Sequence, residues 1–196
     1  QSPHPMVTAI PGLKVAMPST AADAKGLLTT AIRDDDPVIF FEHKTLYGLQ
    51  GDVPEGDYLV PFGKARIVSE GNDCTLVATG RMVSFCEDAA NALSADGITC
   101  DIIDPRTTSP LDEDAILDSV EKTGRLIVVD ETPPRCSFAA DVAALAASEV
   151  FSSLKAPIKT VTGPHSPVPF AKELETAFLP SPVKIKTVIE QTVNFS

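Results

Sequence analysis

Residues 75–103 read TLVATGRMVSFCEDAANALSADGITCDII, and this stretch decides the fold. Its two ends, Thr75–Thr79 and Thr99–Ile103, are short apolar runs of the kind that form strands. Between them a helix is predicted over Ser84–Ala95, because its first residue is followed three positions later by Glu87 in the pattern of a capping box. A strand, a helix and a strand in this order require a crossover connection, so we expect the two strands to be parallel.

The same alternation continues on both sides of this stretch. Gly97 and Gly124 fall just past two predicted helices, where a left-handed residue is favoured before the next strand. Strands separated by helices of this length predict an α/β fold, with a mostly parallel sheet and helices on both faces. The other predicted elements are strands at Ala65–Val68, Leu126–Asp130 and Ile158–Thr162, helices at Asp112–Lys122 and about Ser137–Leu154, and two helical stretches at the C-terminus.

A further strand, helix and strand come earlier in the chain. Lys14–Met17 is predicted as a short strand, and the helix over Ala21–Asp34 has a capping residue, Thr20, in front of it. The unbroken apolar run Val38–Phe41 is typical of a parallel strand that is buried on both faces.

The segment Gly48–Pro61 separates this unit from the later one. It is polar and rich in glycine, and it has neither a helical nor an alternating period, so we expect a linker. The sequence begins without methionine, in what resembles the middle of a domain. These observations predict two domains, residues 1–57 and residues 58–196.

Charge and cysteine content limit the classes of function. The formal net charge is −11, which disfavours binding to nucleic acid or to an anionic membrane surface. No apolar run approaches the roughly 20 residues that a spanning helix needs. The four cysteines are single, with no C-x-x-C pair, so we expect buried reduced thiols in a cytoplasmic protein and no zinc site. They are Cys74, Cys86, Cys100 and Cys136.

The sequence contains none of the common nucleotide-binding, hydrolase or metalloprotease motifs. The segment Asp104–Asp112 follows a strand and precedes a helix, which is where functional groups gather in open α/β sheets. Arg106 could bind an anion there. The alternative, which position alone favours, is that Arg106 pairs with a neighbouring carboxylate and that Asp112 caps the next helix.

The three histidines and one acidic pair are the other candidates. His165 could act as a general base in its loop, but a loop histidine without an orienting carboxylate is more often exposed. His43 is expected to pair with the adjacent Glu42 at a sheet edge, and His4 to lie near a frayed terminus. We expect none of the three to be a catalytic base. The adjacent carboxylates of Asp130–Glu131 are expected to point to opposite sides of the chain.

Several short motifs occur in an order that resembles one family, the beta subunits of the decarboxylating component of 2-oxoacid dehydrogenases. The similarity runs nearly from end to end of the chain. The motifs are Gln1–Pro3, Pro11–Val15, Asp23–Leu28, Ala31–Asp34, Pro37–Phe40, Leu46–Gly48, Gly63–Ala65, Asp104–Asp112, Lys122–Leu126, Ala156–Pro157 and Pro167–Pro169.

The resemblance implies a pyrimidine-binding domain followed by a transketolase C-terminal domain. Such subunits pair with an alpha subunit in an alpha2-beta2 heterotetramer, with thiamine diphosphate between alpha and beta. They decarboxylate a 2-oxoacid or cleave acetoin oxidatively, and pass the acyl group to a lipoyl carrier on the dihydrolipoyl acyltransferase. The family's activating glutamate and active-site histidine would both precede Gln1. The resemblance therefore implies a C-terminal fragment with no catalytic or cofactor-binding residue, inactive alone.

A potassium site can be transferred from the family by position. In related enzymes main-chain oxygens of one turn hold the ion, and the matching residues are Ala31, Ile32, Asp34 and Asp36. Carbonyl groups at a helix C-terminus lack helical partners and suit such a cation. The site would be incomplete without the upstream strand.

Docking and assembly are the remaining implications. Several relatives use an acidic residue before Ala156–Pro157, together with the chain's C-terminus, to bind the acyltransferase. Here the corresponding positions are Lys155 and Ser196, so the charge complementarity is reversed. Together with Thr132–Cys136, this favours the acetoin branch. The alternative function is a non-catalytic assembly module, which docks the acyltransferase and forms a beta-beta homodimer through the alanine-rich helix Ala139–Leu154.

Overall fold

The computed structural model describes residues 2–195. Its strands form one five-stranded and one three-stranded sheet. The strands are β1 Lys14–Ala16, β2 Val38–Phe40, β3 Arg66–Ser69, β4 Cys74–Ala78, β5 Cys100–Asp104, β6 Thr107–Ser109, β7 Leu126–Val129 and β8 Lys159–Val161. The α-helices are α1 His4–Thr8, α2 Ala21–Arg33, α3 Arg81–Ser94, α4 Glu113–Thr123, α5 Phe138–Glu149, α6 Lys172–Phe178 and α7 Pro182–Val193, and single 3₁₀ turns lie at Lys44–Leu46 and Phe151–Ser153.

The larger sheet has the strand order β3-β5-β4-β7-β8. The pairs β4–β5, β4–β7 and β7–β8 are parallel, and only β3 runs antiparallel, at one edge. Central strand β4 is buried along its whole length, and Leu76 pairs with Ile102 on one side and Ile127 on the other. The predicted mostly parallel sheet is confirmed.

Helices cover both faces of this sheet, as predicted. Successive residues of a strand point to opposite faces, so Leu76 and Val77 belong to different cores. On the Leu76 face the sheet packs against α3 and α7, with Ile185 and Ile189 fully buried. On the Val77 face it packs against α4 and α5. The buried side chains of that second core include Ile116, Val120, Phe138 and Val142.

The smaller sheet has the order β2-β1-β6. Strand β1 is parallel to β2 and antiparallel to β6, which lies within the Asp104–Asp112 segment and had not been predicted as a strand. The expectation that Val38–Phe41 is buried on both faces is wrong. Strand β2 is only half-buried, because it forms the edge of its sheet and has a neighbour on one side alone.

The helix ends agree with the predictions at some positions and not at others. Thr20 caps α2, because its Oγ1 accepts the Asp23 N–H at 3.1 Å. Gly97 and Gly124 have φ of 79° and 74°, as expected for the ends of α3 and α4. The predicted capping box at Ser84 is wrong, and α3 begins three residues earlier.

The early start of α3 has a local cause. Gly80, with φ of 53°, lets the chain turn from β4 directly into the helix. Ser84 then lies inside the first turn, where its Oγ donates to the Arg81 carbonyl at 3.0 Å. Within residues 2–195, none of the helices is long and apolar enough to cross a lipid bilayer.

Candidate functional site

A cavity of about 440 Å³ opens at the carboxyl ends of β4 and β7. Strand β5 lies on one side of β4, and β7 lies on the other side. Helix α3, which follows β4, and helix α5, which follows β7, therefore pack on opposite faces of the sheet. Crevices at such a switch in strand order are the usual ligand sites of open α/β sheets. The lining combines Thr79, Gly80, Asp130 and Glu131 from these strand ends with Ser2, Pro3, Phe41–Thr45 and Glu175.

His4 anchors the first residues of the chain beneath this cavity. Its imidazole is 0% exposed and lies edge-on between the rings of Phe41 and Phe138. The Ser2 Oγ lies 2.8 Å from Nδ1, and Nε2 lies 3.5 Å from Asp130 Oδ2. The expectation of a frayed terminus is wrong, since α1 and the two rings fix this histidine.

His43 pairs with Glu131 and not with its neighbour Glu42. The His43 Nε2 lies 2.8 Å from Glu131 Oε2. The Thr45 N–H donates to Nδ1 at 3.3 Å, so Nδ1 accepts and the Nε2–H donates to the carboxylate. Glu42 instead accepts from the Tyr47 hydroxyl at 3.3 Å. Both ring nitrogens of His43 are therefore engaged.

Asp130 and Glu131 thus serve different histidines. The Asp130 carboxylate also accepts the Thr132 N–H at 3.3 Å and the Thr132 hydroxyl at 2.6 Å. The sequence had predicted that these adjacent carboxylates diverge, and in the structure each lies beside a different histidine while both border the cavity. His165 lies apart from this group, exposed in the loop after β8.

A second polar cluster joins α2 to the larger sheet. Asp23, which is 1% exposed, lies 2.8 Å from the Arg106 Nε and 3.3 Å from the Arg66 Nε. The fully buried Asp104 carboxylate accepts from the Ser19 hydroxyl and from the Arg106 N–H, and its burial raises the pKa of Asp104. Arg106 is held at φ 60° by these contacts. Arg106 therefore forms an ion pair, as the alternative predicted, but its partner is Asp23 of α2 and not a neighbouring carboxylate.

The rest of the 104–112 segment makes polar contacts with residues that are distant in the chain. The hydroxyls of Thr8 and Thr108 lie 2.6 Å apart, and the Ser109 Oγ donates to the Leu13 carbonyl at 2.8 Å. Asp112 precedes α4, but its side chain accepts the Ala65 N–H at 2.8 Å and makes no capping bond. The predicted cap is wrong because this carboxylate is used to fix the start of β3.

The predicted potassium turn follows α2. The Lys14 Nζ lies 2.7 and 2.8 Å from the two carboxylate oxygens of Asp34 and 3.0 Å from Asp36 Oδ2. Hydrogen bonding to Asp34 raises the pKa of Lys14, and the same contact lowers the pKa of Asp34. The Asp34 N–H donates to the Ala31 carbonyl at 3.4 Å, and Ile32 is 77% exposed. The Asp34 and Asp36 carboxylates are thus paired with Lys14, and the potassium site at Ala31, Ile32, Asp34 and Asp36 stays a prediction.

Lys155 lies at the C-terminus of α4. Its ammonium donates to the Thr123 carbonyl at 3.4 Å, and its aliphatic stem crosses Gly124. A positive charge at a helix C-terminus is favourable. Ser196, the other predicted docking position, lies outside the described residues. The docking role of both positions stays a prediction.

Three of the four cysteines are buried thiols. Burial raises the pKa of Cys74 and Cys86, and it raises the pKa of Cys100 to about 12. The prediction of a buried thiol is wrong for Cys136, which is exposed with φ of 48° in the loop before α5. The loop also contains two consecutive prolines, Pro133 and Pro134.

The lining of the cavity does not suit a diphosphate. Anionic phosphate groups are held by cations and free N–H groups, whereas carboxylates outnumber cations around this cavity. The carboxylates are Glu42, Asp130, Glu131 and Glu175, and the cations are Lys44 and Arg81. No group of three His, Cys, Asp or Glu side chains within residues 2–195 is arranged to bind a metal ion.

The sequence did not pair the histidines with their carboxylates. The usable signal was positional, because Asp130–Glu131 ends a predicted strand, where ligand sites gather in such sheets. The sequence could not identify the partner of each carboxylate, because the His43–Glu131 contact joins residues 88 positions apart. The Asp23–Arg106 pair was missed for the same reason.

Comparison with known families gives two matches. The profile described as "Transketolase, C-terminal domain" matches residues 63–185, and the one described as "Transketolase, pyrimidine binding domain" matches residues 1–50. The split gene transketolase structure described as an "inactive beta4 tetramer" superposes with a TM-score of 0.82 at 21% identity, covering 96% of this chain and 60% of that one. This likeness concerns the fold.

Three proteins with similar sequences are beta subunits of dehydrogenases or oxidoreductases. The acetoin:2,6-dichlorophenolindophenol oxidoreductase subunits beta of Bacillus subtilis (strain 168) and Cupriavidus necator are 55% and 53% identical, each over 96% of this chain. The 2-oxoisovalerate dehydrogenase subunit beta of B. subtilis is 43% identical over 94% of it. The chain spans about half the length of these relatives, from 55% to 57%. The predicted resemblance is confirmed, and the chain belongs to the transketolase C-terminal domain family, whose profile matches more than half of it.

Proposed function

We propose that this chain is the later part of the beta subunit of a thiamine-diphosphate-dependent acetoin dehydrogenase component in the cytoplasm. The observation that carries the proposal is the 55% and 53% identity to two acetoin:2,6-dichlorophenolindophenol oxidoreductase subunits beta over 96% of the chain. The identity to the 2-oxoisovalerate dehydrogenase subunit is lower, at 43%, so a 2-oxoacid is the second candidate substrate. The acyl product would pass to a lipoyl carrier.

In this proposal residues 1–57 are the tail of a pyrimidine-binding domain and residues 58–196 form the second domain. Thiamine diphosphate would supply the carbanion chemistry at a site between the alpha and beta subunits. The acidic lining of the cavity supports placing the diphosphate outside this chain. The residues of this chain then have structural roles. Asp23 in the first domain pairs with Arg66 and Arg106 in the second, and Arg66 also lies beside Asp104.

A dye-reduction assay tests this division of roles. Purified alpha subunit, thiamine diphosphate and acetoin are combined with either this chain or a full-length beta subunit. We expect turnover with the full-length subunit and none with this chain, because no reacting group is proposed here. Turnover with this chain would contradict the placement of the catalytic groups. With the full-length subunit, preference for pyruvate or 2-oxoisovalerate over acetoin would contradict the acetoin assignment.

The second candidate is an assembly module, and α5 favours it. The buried side of α5 faces the sheet, while Ala140, Ala144 and Ala147 are exposed at helical spacing. Small side chains allow two helices to approach closely, so this face suits the predicted homodimer. Sedimentation should show a dimer that Ala144→Glu dissociates, whereas Glu149→Gln on the same helix should not change it. A monomer at all concentrations would contradict this role.

The acyltransferase contact is tested separately. A pull-down with the subunit-binding domain of the acyltransferase should retain this chain, and Lys155→Glu should weaken retention because the local charge is reversed. Lys186→Glu, on α7, serves as the control. Retention that is insensitive to Lys155→Glu would contradict the docking role of this residue.

A further inference from the structure

The walls of the cavity are fixed to two consecutive residues at the end of β7. Asp130 lies 3.5 Å from His4, which begins α1, and Glu131 lies 2.8 Å from His43 in the segment after β2. Ser2 and Pro3 form one part of the wall, and Phe41–Thr45 forms another. Two neighbouring carboxylates therefore each hold a different wall segment.

The two attachments differ in burial. His4 is completely enclosed, and α1, which it begins, is also attached through the 2.6 Å contact between the hydroxyls of Thr8 and Thr108. Releasing this wall segment would expose the buried imidazole and break its packing against Phe138, so release is costly. The side chains of His43 and Glu131, in contrast, are 27% and 11% exposed to solvent.

The segment Phe41–Leu49 has few other attachments. Among the described residues, the His43–Glu131 contact is its one hydrogen bond to any residue after position 60. Its remaining bonds are internal, apart from the Phe41 N–H, which donates to the Ala16 carbonyl at 2.8 Å. Most of the segment is exposed, with Tyr47 at 66% and Leu49 at 56%. Few buried contacts and one polar tether are the features of a segment that opens locally.

We infer that residues 41–49 form a flap over the cavity and that the His43–Glu131 contact is its latch. The flap turns about the end of β2, where Phe41 remains bonded to Ala16. Release of the latch opens the cavity at the carboxyl ends of β4 and β7 while the larger sheet stays folded. The wall held by His4 and Asp130 does not move. This inference rests on the contacts alone and is independent of the proposed function.

Hydrogen exchange followed by mass spectrometry tests the latch on this chain. Glu131→Ala removes the acceptor, and exchange in peptides covering 41–49 should accelerate by about tenfold, the effect of losing one hydrogen bond to a charged group. Peptides covering β4 and β5 should keep their protection. Glu131→Gln retains an acceptor for the Nε2–H of His43 and should recover part of the protection.

Two further variants complete the experiment. Glu175→Ala changes another carboxylate of the same lining whose side chain makes no hydrogen bond among the described residues, and it should leave exchange in 41–49 unchanged. His43→Ala should reproduce the effect of Glu131→Ala, and the double variant should add nothing further. Unchanged exchange in 41–49 after loss of the latch, or an equal loss of protection in β4, would overturn the inference.

Discussion

At the residue scale, two glycines with nearly the same backbone conformation meet different surroundings. Gly97 and Gly124 both end helices with positive φ, as their positions in the sequence predicted. A Cβ on Gly97 would meet open space, whereas on Gly124 it would lie 2.7 Å from the Lys155 Cδ. The positive φ of both glycines could be predicted from the sequence. The contact at Gly124 could not, because the Lys155 stem reaches Gly124 only in the folded chain.

Alanine substitutions at these two glycines should therefore differ in cost. Gly97→Ala should lower the free energy of unfolding by about 1–2 kcal/mol, the cost of a left-handed alanine. Gly124→Ala should cost more, because Lys155 must also move away from the Thr123 carbonyl. Urea denaturation measures both values. In a Lys155→Ala background the two costs should become equal, and a persistent difference would contradict this explanation.

Two carboxylates should give opposite dependences of stability on pH. Burial raises the pKa of Asp104 above its ordinary 3.8, so the folded state binds this proton more tightly and the Asp104 contribution to stability falls as pH rises above about 4. The hydrogen bond from Lys14 lowers the pKa of Asp34, so its contribution is complete above 3.8 and is lost as pH falls below that value.

Urea midpoints measured across the acidic and neutral range will distinguish the two groups. Asp104→Asn should remove a decline in stability towards neutral pH, whatever its effect on absolute stability. Asp34→Asn should remove a decline towards acidic pH. Parallel pH profiles for wild type and both variants would show that neither carboxylate is linked to folding in this way.

At the element scale, the sequence predicted all the strands of the larger sheet. The predictions failed for elements whose structure depends on a neighbouring strand. Apolar runs and crossovers were sufficient for β4, β5 and β7, because burial on both faces leaves a continuous apolar pattern. The polar strand β6 has no such pattern, since it forms by pairing with β1. The half-buried state of β2 likewise depends on its edge position, which its three apolar residues do not reveal.

The turn between α2 and β2 should depend on Lys14. Lys14→Met leaves the Asp34 and Asp36 carboxylates without their cation, so thermal stability should fall. If the turn also binds potassium through main-chain oxygens, potassium should stabilise Lys14→Met more than wild type, because nothing else offsets the two charges. The thermal midpoint in potassium chloride, compared with choline chloride at equal ionic strength, measures this difference.

Lys186→Met is the matched control for the turn. Lys186 lies 3.9 Å from Glu190 in an exposed pair one helical turn apart, and its loss should change stability by less than about 0.5 kcal/mol. Midpoints that do not distinguish potassium from choline in either protein would count against the predicted ion site at Ala31, Ile32, Asp34 and Asp36.

At the scale of the whole molecule, polar contacts join residues that lie far apart in the chain. The Thr8–Thr108 and Leu13–Ser109 contacts span 100 and 96 residues. Each partner is an ordinary serine, threonine or main-chain group with no local signal, so sequence reasoning predicted the elements and could not pair them. The strand order that places the cavity beside β4 and β7 was likewise a property of the folded chain.

The unequal construction of the two sheets predicts unequal protection. Strand β4 pairs with parallel neighbours on both sides and is fully buried, whereas β2 pairs over three residues on one side and is half-buried. Amides of β1 and β2 should therefore exchange by local opening, at a lower free energy than amides of β4 and β7, which need global unfolding. Native-state hydrogen exchange by NMR, repeated at low urea concentrations, separates these routes, since exchange in β4 should accelerate with urea and exchange in β2 should respond weakly. Equal free energies and equal urea dependence in both sheets would mean that the polar contacts around residues 104–112 make the chain unfold as a single unit.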